Sequence, residues 1–395
     1  MSQVSEDTRH KLTEIAAALV ISLLFYLLSG TSAYERVELM SLDARFNLRP
    51  PIATNPDIAT IEIDDSALAE QGRWQDWTRD KHARIIDIIR RGSGALIGFD
   101  ILFSEESEKI IRPSDISHAG SIEEVHAAFR DYDAELAGAA RAAGNVFWSS
   151  AFVLDDEAAS ADTPQVADDG VNRNYSASAW KNLGLMVDKG FLVNPGTEGI
   201  GSTLGAESPL SIPIPALIEA GRGVGFIQIR LDSDGIVRKY PLFIATQYPP
   251  GSGQTHLSPS IGLAMACDYL QVPLENLSLK PGRYVEIPGA SMPDGSTKNL
   301  RIPITDKGEM IINWAGGWTD VFNHFPYSAL IKLSEQQTLK EIKAFIAGLD
   351  PSIFQRPGEI MASVSEAFPA VEDSATYTAY LYGAHWYEKL IESEG

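Results

Sequence analysis

Three acidic residues stand where a ligand or a catalytic proton would be handled. Asp64 and Asp65 follow a short β-branched run, Ile58 to Ile63, and Asp100 lies near the end of an apolar run, Ala95 to Phe103. In open α/β sheets, ligands gather outside the carboxyl ends of the strands. Two parallel neighbouring strands would bring these carboxylates close together. Such a cluster suits a ligand, a cation, or acid/base catalysis. The competing structural reading has Asp65 capping a following turn and Asp100 paired with Arg79 or Arg45, since a buried carboxylate needs a partner.

A second group is Trp74, Trp77, Arg79 and His82. Aromatic rings beside a guanidinium form a cation–π cage, or they close the top of a core. A third is Asp232-Ser233-Asp234-Gly235, which begins like a calcium loop. Arg238 and Lys239 stand where further acids would be needed, so a β-hairpin turn is the better reading. The 7 histidines contain no His-x-x-x-His pair, which leaves a zinc hydrolase unsupported. Gly221-Arg222-Gly223-Val224-Gly225 has the wrong spacing for a dinucleotide fingerprint, and a strand follows it. No Gly-x-Ser-x-Gly elbow is present. No catalytic residue, metal site or cofactor is assigned. Cys267, the 1 cysteine, forms no intramolecular disulfide and reads as a small buried hydrophobe.

The elements that must carry these residues alternate. A strand at 58–63 precedes a helix over Asp80 to Arg91, whose isoleucines share one face and which Gly92 and Gly94 stop. A strand over 95–103 follows. Ser121 and Glu124 form a capping-box pattern, Gly144 ends a helical stretch, and Asn145 to Phe152 is a third strand. This order predicts an α/β fold: a mixed, largely parallel sheet with flanking helices and a β-hairpin region. Residues 155–209 read as an irregular insertion. Val224 to Leu231 and Ile236 to Thr246 flank the hairpin turn. A helix is expected over Ser258 to Leu270, with Pro259 in its first turn. Short strands are expected at 284–287, 299–304 and 310–314, and a helix over Ser334 to Leu349.

The N-terminus bears on location. Arg9, His10 and Lys11 precede an uncharged stretch from Ile15 to Tyr34, about 20 residues and long enough to cross a bilayer as a helix. The basic flank would stay in the cytoplasm and the rest would be exported. Residues 1–34 are therefore expected to be a cytoplasmic tail and transmembrane anchor, with residues 12–34 in the membrane. A cleaved signal peptide and a buried core helix are the alternatives. Residues 35–57 read as extended, because Pro50, Pro51 and Pro56 forbid regular helix. The chain has 395 residues and a formal charge of −21, which disfavours nucleic acid and anionic membranes as partners.

Several of these segments also carry a resemblance. Leu42-Asp43-Ala44-Arg45-Phe46, Ile61-Glu62-Ile63-Asp64-Asp65, Trp77-Thr78-Arg79 with His82, and Gly98-Phe99-Asp100-Ile101-Leu102-Phe103 occur in order. They resemble the CHASE2 family of extracytoplasmic sensor domains. Gly223-Val224-Gly225-Phe226, Asp234-Gly235 with Arg238 and Pro241-Leu242, Ile312-Asn313-Trp314-Ala315-Gly316 and Phe325-Pro326-Tyr327-Ser328 extend it over residues 36–330. The resemblance implies a sensor domain at 35–330 in the inner membrane of the cell, facing the periplasm. It also implies that the output, a nucleotide cyclase such as an adenylate cyclase or a kinase, lies outside these residues. An unknown extracytoplasmic ligand or protein would be the partner, and a homodimer is expected. The candidate ligand residues are Asp64, Asp65, Trp77, Arg79 and Asp100. After the tyrosine segment, the family's Gly-Lys strand and its Pro-Gly-Val and His-Ala helix are not found here. Residues 331–395 thus read as an extension incomplete relative to the family. The other functional readings are an anchored assembly domain without a ligand, and a metal-dependent hydrolase using the strand-end acids.

Overall fold

Gly30 and Thr31 interrupt the N-terminal apolar stretch, and the first two helices form on either side. The computed structural model describes residues 6–111, 129–153, 171–193, 207–316 and 322–348, with 121, 122, 125, 204, 363, 364 and 366–368. Helix α1 spans Glu6–Ser29 and α2 spans Ser32–Leu48. Thr31 caps α2 by accepting from the Tyr34 backbone N–H. The uncharged stretch expected to be a membrane helix is thus divided between two helices at Gly30 and Thr31. Among the described residues no single helix is long and apolar enough to cross a membrane. The pair Thr13–Ser29 and Ser32–Leu48 meets that length and composition together, bent by 90°. The expected extended connection is also corrected in part, because prolines exclude helix only from residue 50 onward. Arg49 takes an extended backbone, as a residue before proline must, and ends α2.

The chain then runs through β1 (Ala59–Glu62), α3 (Asp65–Gln71), a 3₁₀ turn at Trp74–Asp76, and α4 (Asp80–Arg91). β2 (Ile97–Gly98), α5 (Tyr132–Ala143), β3 (Val146–Val153), α6 (Val171–Asp188), β4 (Ser208–Ser211), α7 (Pro215–Ala220) and β5 (Gly223–Phe226) follow. Next come β6 (Lys239–Pro241), β7 (Phe243–Gln247), β8 (Thr255–Pro259), α8 (Ile261–Tyr269), β9 (Ser278–Lys280), β10 (Tyr284–Ser291) and β11 (Thr297–Pro303). The last described elements of any length are β12 (Glu309–Ile311), β13 (Asn323–Pro326) and α9 (Tyr327–Ala347).

β3 organises the centre. It pairs in parallel with β2 and β5 and antiparallel with β4. A bridge from Phe226 to Ser260 passes the sheet on to the antiparallel pair β7–β8. β9, β10 and β11 form an antiparallel meander, and β6 pairs antiparallel with β12. The mixed α/β sheet expected is thus found at the centre, where two of three strand pairings are parallel, while the smaller sheets, β1–β13 apart, are antiparallel. β1 does not join β2; it pairs with β13, far along the chain. The predicted hairpin around Asp232–Gly235 is corrected too. The turn forms, with Gly235 at φ 81°, but β5 and β6 on either side pair elsewhere. Pro259 ends β8 and Ser260 caps α8, so proline is not in that helix's first turn. The insertion expected at 155–209 contains α6, whose Leu183 and Met186 are fully buried. Glu124 of the capping box, residues 155–170 and 194–203, and most of 350–395 lie outside the described residues.

Three cores result. The largest packs Trp148, Phe152 and Phe226 of the central sheet against Leu136, Leu183 and Leu217 of α5, α6 and α7. A second gathers Leu257, Leu263, Cys267, Val285 and Ile287. Burial pushes the Cys267 thiol up to about 12, so it stays protonated and inert. A third holds Ala67, Ile85, Tyr327 and Ile331, closing α9 onto α3 and α4. α8 lies directly on β5: a Cβ on Gly225 would stand 2.4 Å from Ile261 Cα. Gly225→Val is therefore expected to force the helix off the sheet and to destabilise by about 1–3 kcal/mol. A lower denaturant midpoint in the full chain checks this, and an unchanged midpoint would refute it.

Candidate functional site

The tryptophans, Arg79 and His82 gather around the start of α4. Trp74 and Trp77 lie on either side of the turn that follows Gly72. Gly72 has φ 85°, a conformation that suits glycine, and its carbonyl accepts from Trp77 Nε1 at 2.8 Å. The Trp77 ring meets Trp74 and Tyr327, each at 5.2 Å between centroids. His82 lies edge-on to Phe103 at 5.4 Å and to Phe99 at 6.0 Å, and Phe99 stacks on Trp148 at 5.1 Å. These rings form one column from the half-exposed Trp74 to the fully buried Trp148. The column joins the β1–β13 pair to the central sheet.

His82 is buried, and its Nδ1 is 3.0 Å from the Tyr327 hydroxyl. Burial, reinforced by the nearby Arg79 charge, lowers its pKa to about 4, so the ring is neutral at pH 7. Desolvation in the same pocket raises the Tyr327 pKa. Asp80, also buried, accepts from Arg84 at 3.2 Å. Its Oδ1 has no hydrogen-bond partner among the described residues.

Arg79 is fully engaged. Its guanidinium donates to Asp133 Oδ1 at 2.6 Å and to the Glu105 carbonyl, and lies 5.2 Å above the Phe103 ring. Asp133 also accepts from the Ser107 backbone N–H at 2.9 Å and from the Ser107 hydroxyl. The partner of Arg79 is thus Asp133, not Asp100. Asp133 was missed in the sequence because it lies just inside a helix start, where an acid normally faces solvent.

The candidate acids separate. Asp64 caps α3, accepting from the Ala67 N–H at 2.9 Å and the Ser66 hydroxyl at 2.7 Å, and these bonds lower its pKa. The cap is Asp64 rather than Asp65. Asp65 and Asp100 are exposed, and no described residue bonds either carboxylate. Because β1 and β2 belong to different sheets, strand pairing does not bring Asp64 and Asp65 to Asp100. Asp100 instead lies near Tyr240, whose pKa rises through burial and, to a lesser degree, that charge.

The structure adds a cluster that sequence reading did not assemble. Arg238 of the loop before β6 is 2% exposed. It grips Asp43 of α2 with two bonds, at 2.7 and 2.6 Å, and Asp234 with two more, at 2.8 and 2.7 Å. Asp232 accepts a fifth at 3.2 Å. The cation of this acidic loop is therefore a guanidinium from its own chain. It lowers Asp234 to about 2 and lowers Asp43, while the carboxylates raise Arg238. The only signal was an Arg four residues after an Asp inside a turn. Arg49 adds a second tie, donating to Asn313 Oδ1 and the Trp314 carbonyl, and the Ile52 N–H donates to the Ala315 carbonyl at 2.9 Å. Together these bonds fix α2 and the segment after it to the body.

One histidine meets an acid and a hydroxyl. His324 Nδ1 contacts Glu62 and lies 2.9 Å from Thr60 Oγ1. This is a strap across β1 and β13.

The family model of the CHASE2 domain matches residues 16–389. No curated protein and no solved structure matches the chain. CHASE2 domains are sensory and non-catalytic. A match over nearly the whole chain, from residue 16 to residue 389, places this chain in the CHASE2 family.

Proposed function

We propose that this chain is the extracytoplasmic input module of a membrane receptor whose output is a nucleotide cyclase or a kinase. The observation that carries the reading is the Arg238–Asp43 tie. It joins the body to α2, and α2 is linked to the apolar α1 by only Gly30 and Thr31, at a 90° bend. A ligand that favours one arrangement of the body biases α2 through that tie, and so biases α1. From Ile15 to Ser29, α1 is uncharged and exposed, which suits entry into the membrane. Asp65 and Asp100 are the candidate carboxylates with room for a ligand. Asp64, Trp77 and Arg79 complete the candidate set, but their polar groups already bond within the chain, to Ala67, Gly72 and Asp133.

Location is tested with a phosphatase that folds only outside the cytoplasm, inserted at the exposed turn around Asp294 in the full chain. Activity is expected, and an inactive reporter with intact protein would overturn the placement. Ligand binding is tested by thermal shift with divalent cations, amines and short peptides. A stabilising compound is expected to lose its effect in Asp100→Asn. Retention of the full shift in both Asp100→Asn and Asp65→Asn would remove these acids from the site.

A further inference from the structure

α2 has two apolar faces, and only one is used. Leu39, Leu42 and Phe46 turn toward the body, with Asp43 beside them bonded to Arg238. At roughly 100° per residue, Ala33, Val37, Met40, Ala44 and Leu48 fall in a stripe about 80° wide on the opposite side. Val37 is 64%, Met40 68% and Leu48 86% exposed. Polar residues line both edges, Tyr34 and Arg45 on one and Arg36 on the other. All α1 side chains from Thr13 to Ser29 are exposed, and that segment meets α2 at 90°.

We propose that α2 is an interfacial helix lying along the phospholipid surface, with the stripe in the bilayer and the body on its back. The proposal rests on the insertion of α1. If α1 runs along the bilayer normal, the 90° bend lays α2 in the membrane plane, where its unused apolar face needs cover. Arginines at the stripe edges reach up to headgroups while their stems stay in the apolar layer, and a tyrosine at the edge suits the same boundary. A second copy is the competing occupant. A parallel helix pair along the membrane normal would need α2 in line with α1, and the bend denies it that.

The test uses the full chain in phosphatidylcholine vesicles, with nitroxides at Val37→Cys, Met40→Cys and Leu48→Cys. Glu35→Cys and Glu38→Cys serve as controls, and Leu23→Cys reports on α1. The buried Cys267 stays unlabelled. Collision with oxygen and with a water-soluble nickel complex gives the depth of each label. The stripe labels are expected about 5–10 Å below the headgroups and the Glu labels in water. Stripe labels in water with Leu23 in lipid would overturn the interfacial helix and leave the anchor standing. Strong spin–spin coupling between Met40 labels with poor access to lipid would overturn it in favour of a second copy. Leu23 in water would overturn both the anchor and the interfacial helix.

Discussion

Arg238→Ala is expected to lower the stability of the body by about 3 kcal/mol and to free α2 from it. Loss of one partner from a buried ion pair costs about 3–5 kcal/mol, because the charge left behind stays desolvated. The lower end applies here, since Asp43 and Asp234 each keep about a third of their side-chain surface in water (36% and 31%). Without the guanidinium, three carboxylates face one another, and Lys239 at 3.1 Å from Asp232 compensates only in part. Arg238→Lys would not restore the tie, because one ammonium cannot grip two carboxylates bidentately. Asp43→Asn separates the two effects: it should loosen α2 while the body melts nearly as before. Denaturant unfolding reads the first effect, and the rate of tryptic cleavage after Arg45, an exposed residue of α2, reads the second. If Arg238→Ala leaves both unchanged, the tie has no mechanical role.

Lowering the pH from 6.5 toward 4 is expected to cost the fold up to about 3 kcal/mol through His82 alone. Its pKa is about 4 in the folded protein against 6.5 in the unfolded chain. In that window the unfolded state binds more protons, so stability falls as the solution is acidified and levels off below the folded pKa. Each unit of difference is worth about 1.4 kcal/mol. Asp234 at about 2, with Asp43, Asp87 and Asp131 also lowered, adds losses below this window as those carboxylates protonate. His82→Gln should flatten the unfolding midpoint between pH 6.5 and 4.5. Where that variant fails to fold, the imidazole proton shifts of the native protein should show His82 still neutral at pH 5.5. A His82 that titrates near 6.5 would contradict the buried ring.

Local patterns in this chain were legible where one face alone decides the structure. The isoleucines of α4 and the run that becomes β3 are read from spacing, and the stop at Gly144 follows from its φ of 71°. Pairing was not legible. Asn323–Pro326 contains a histidine and a proline and has none of the β-branched character of a strand, yet it is the partner of β1. That one pairing removes the premise that gathered Asp64, Asp65 and Asp100. α2 was missed because the prolines after it were read backward into it. At the site, residue types were seen and partners were not. Arg79 needed an acid, and the acid came from α5; Arg238 looked like an intruder in a calcium loop and proved to be its cation. Partners contributed from residues 54 and 195 positions away leave no trace in local spacing.

The pairing of β1 with β13 also sets a schedule for synthesis. Thr60 and its neighbour His324 are separated by 264 residues. At about 5–20 residues per second, β1 leaves the ribosome roughly 10–50 s before its partner exists. For that interval its hydrogen-bonding edge is open to any other strand, including the same segment of a neighbouring nascent chain. Glu62, Asp64 and Asp65 at its end then have work that the folded protein no longer displays: three negative charges on a short strand repel another copy of itself until Asn323–Pro326 arrives.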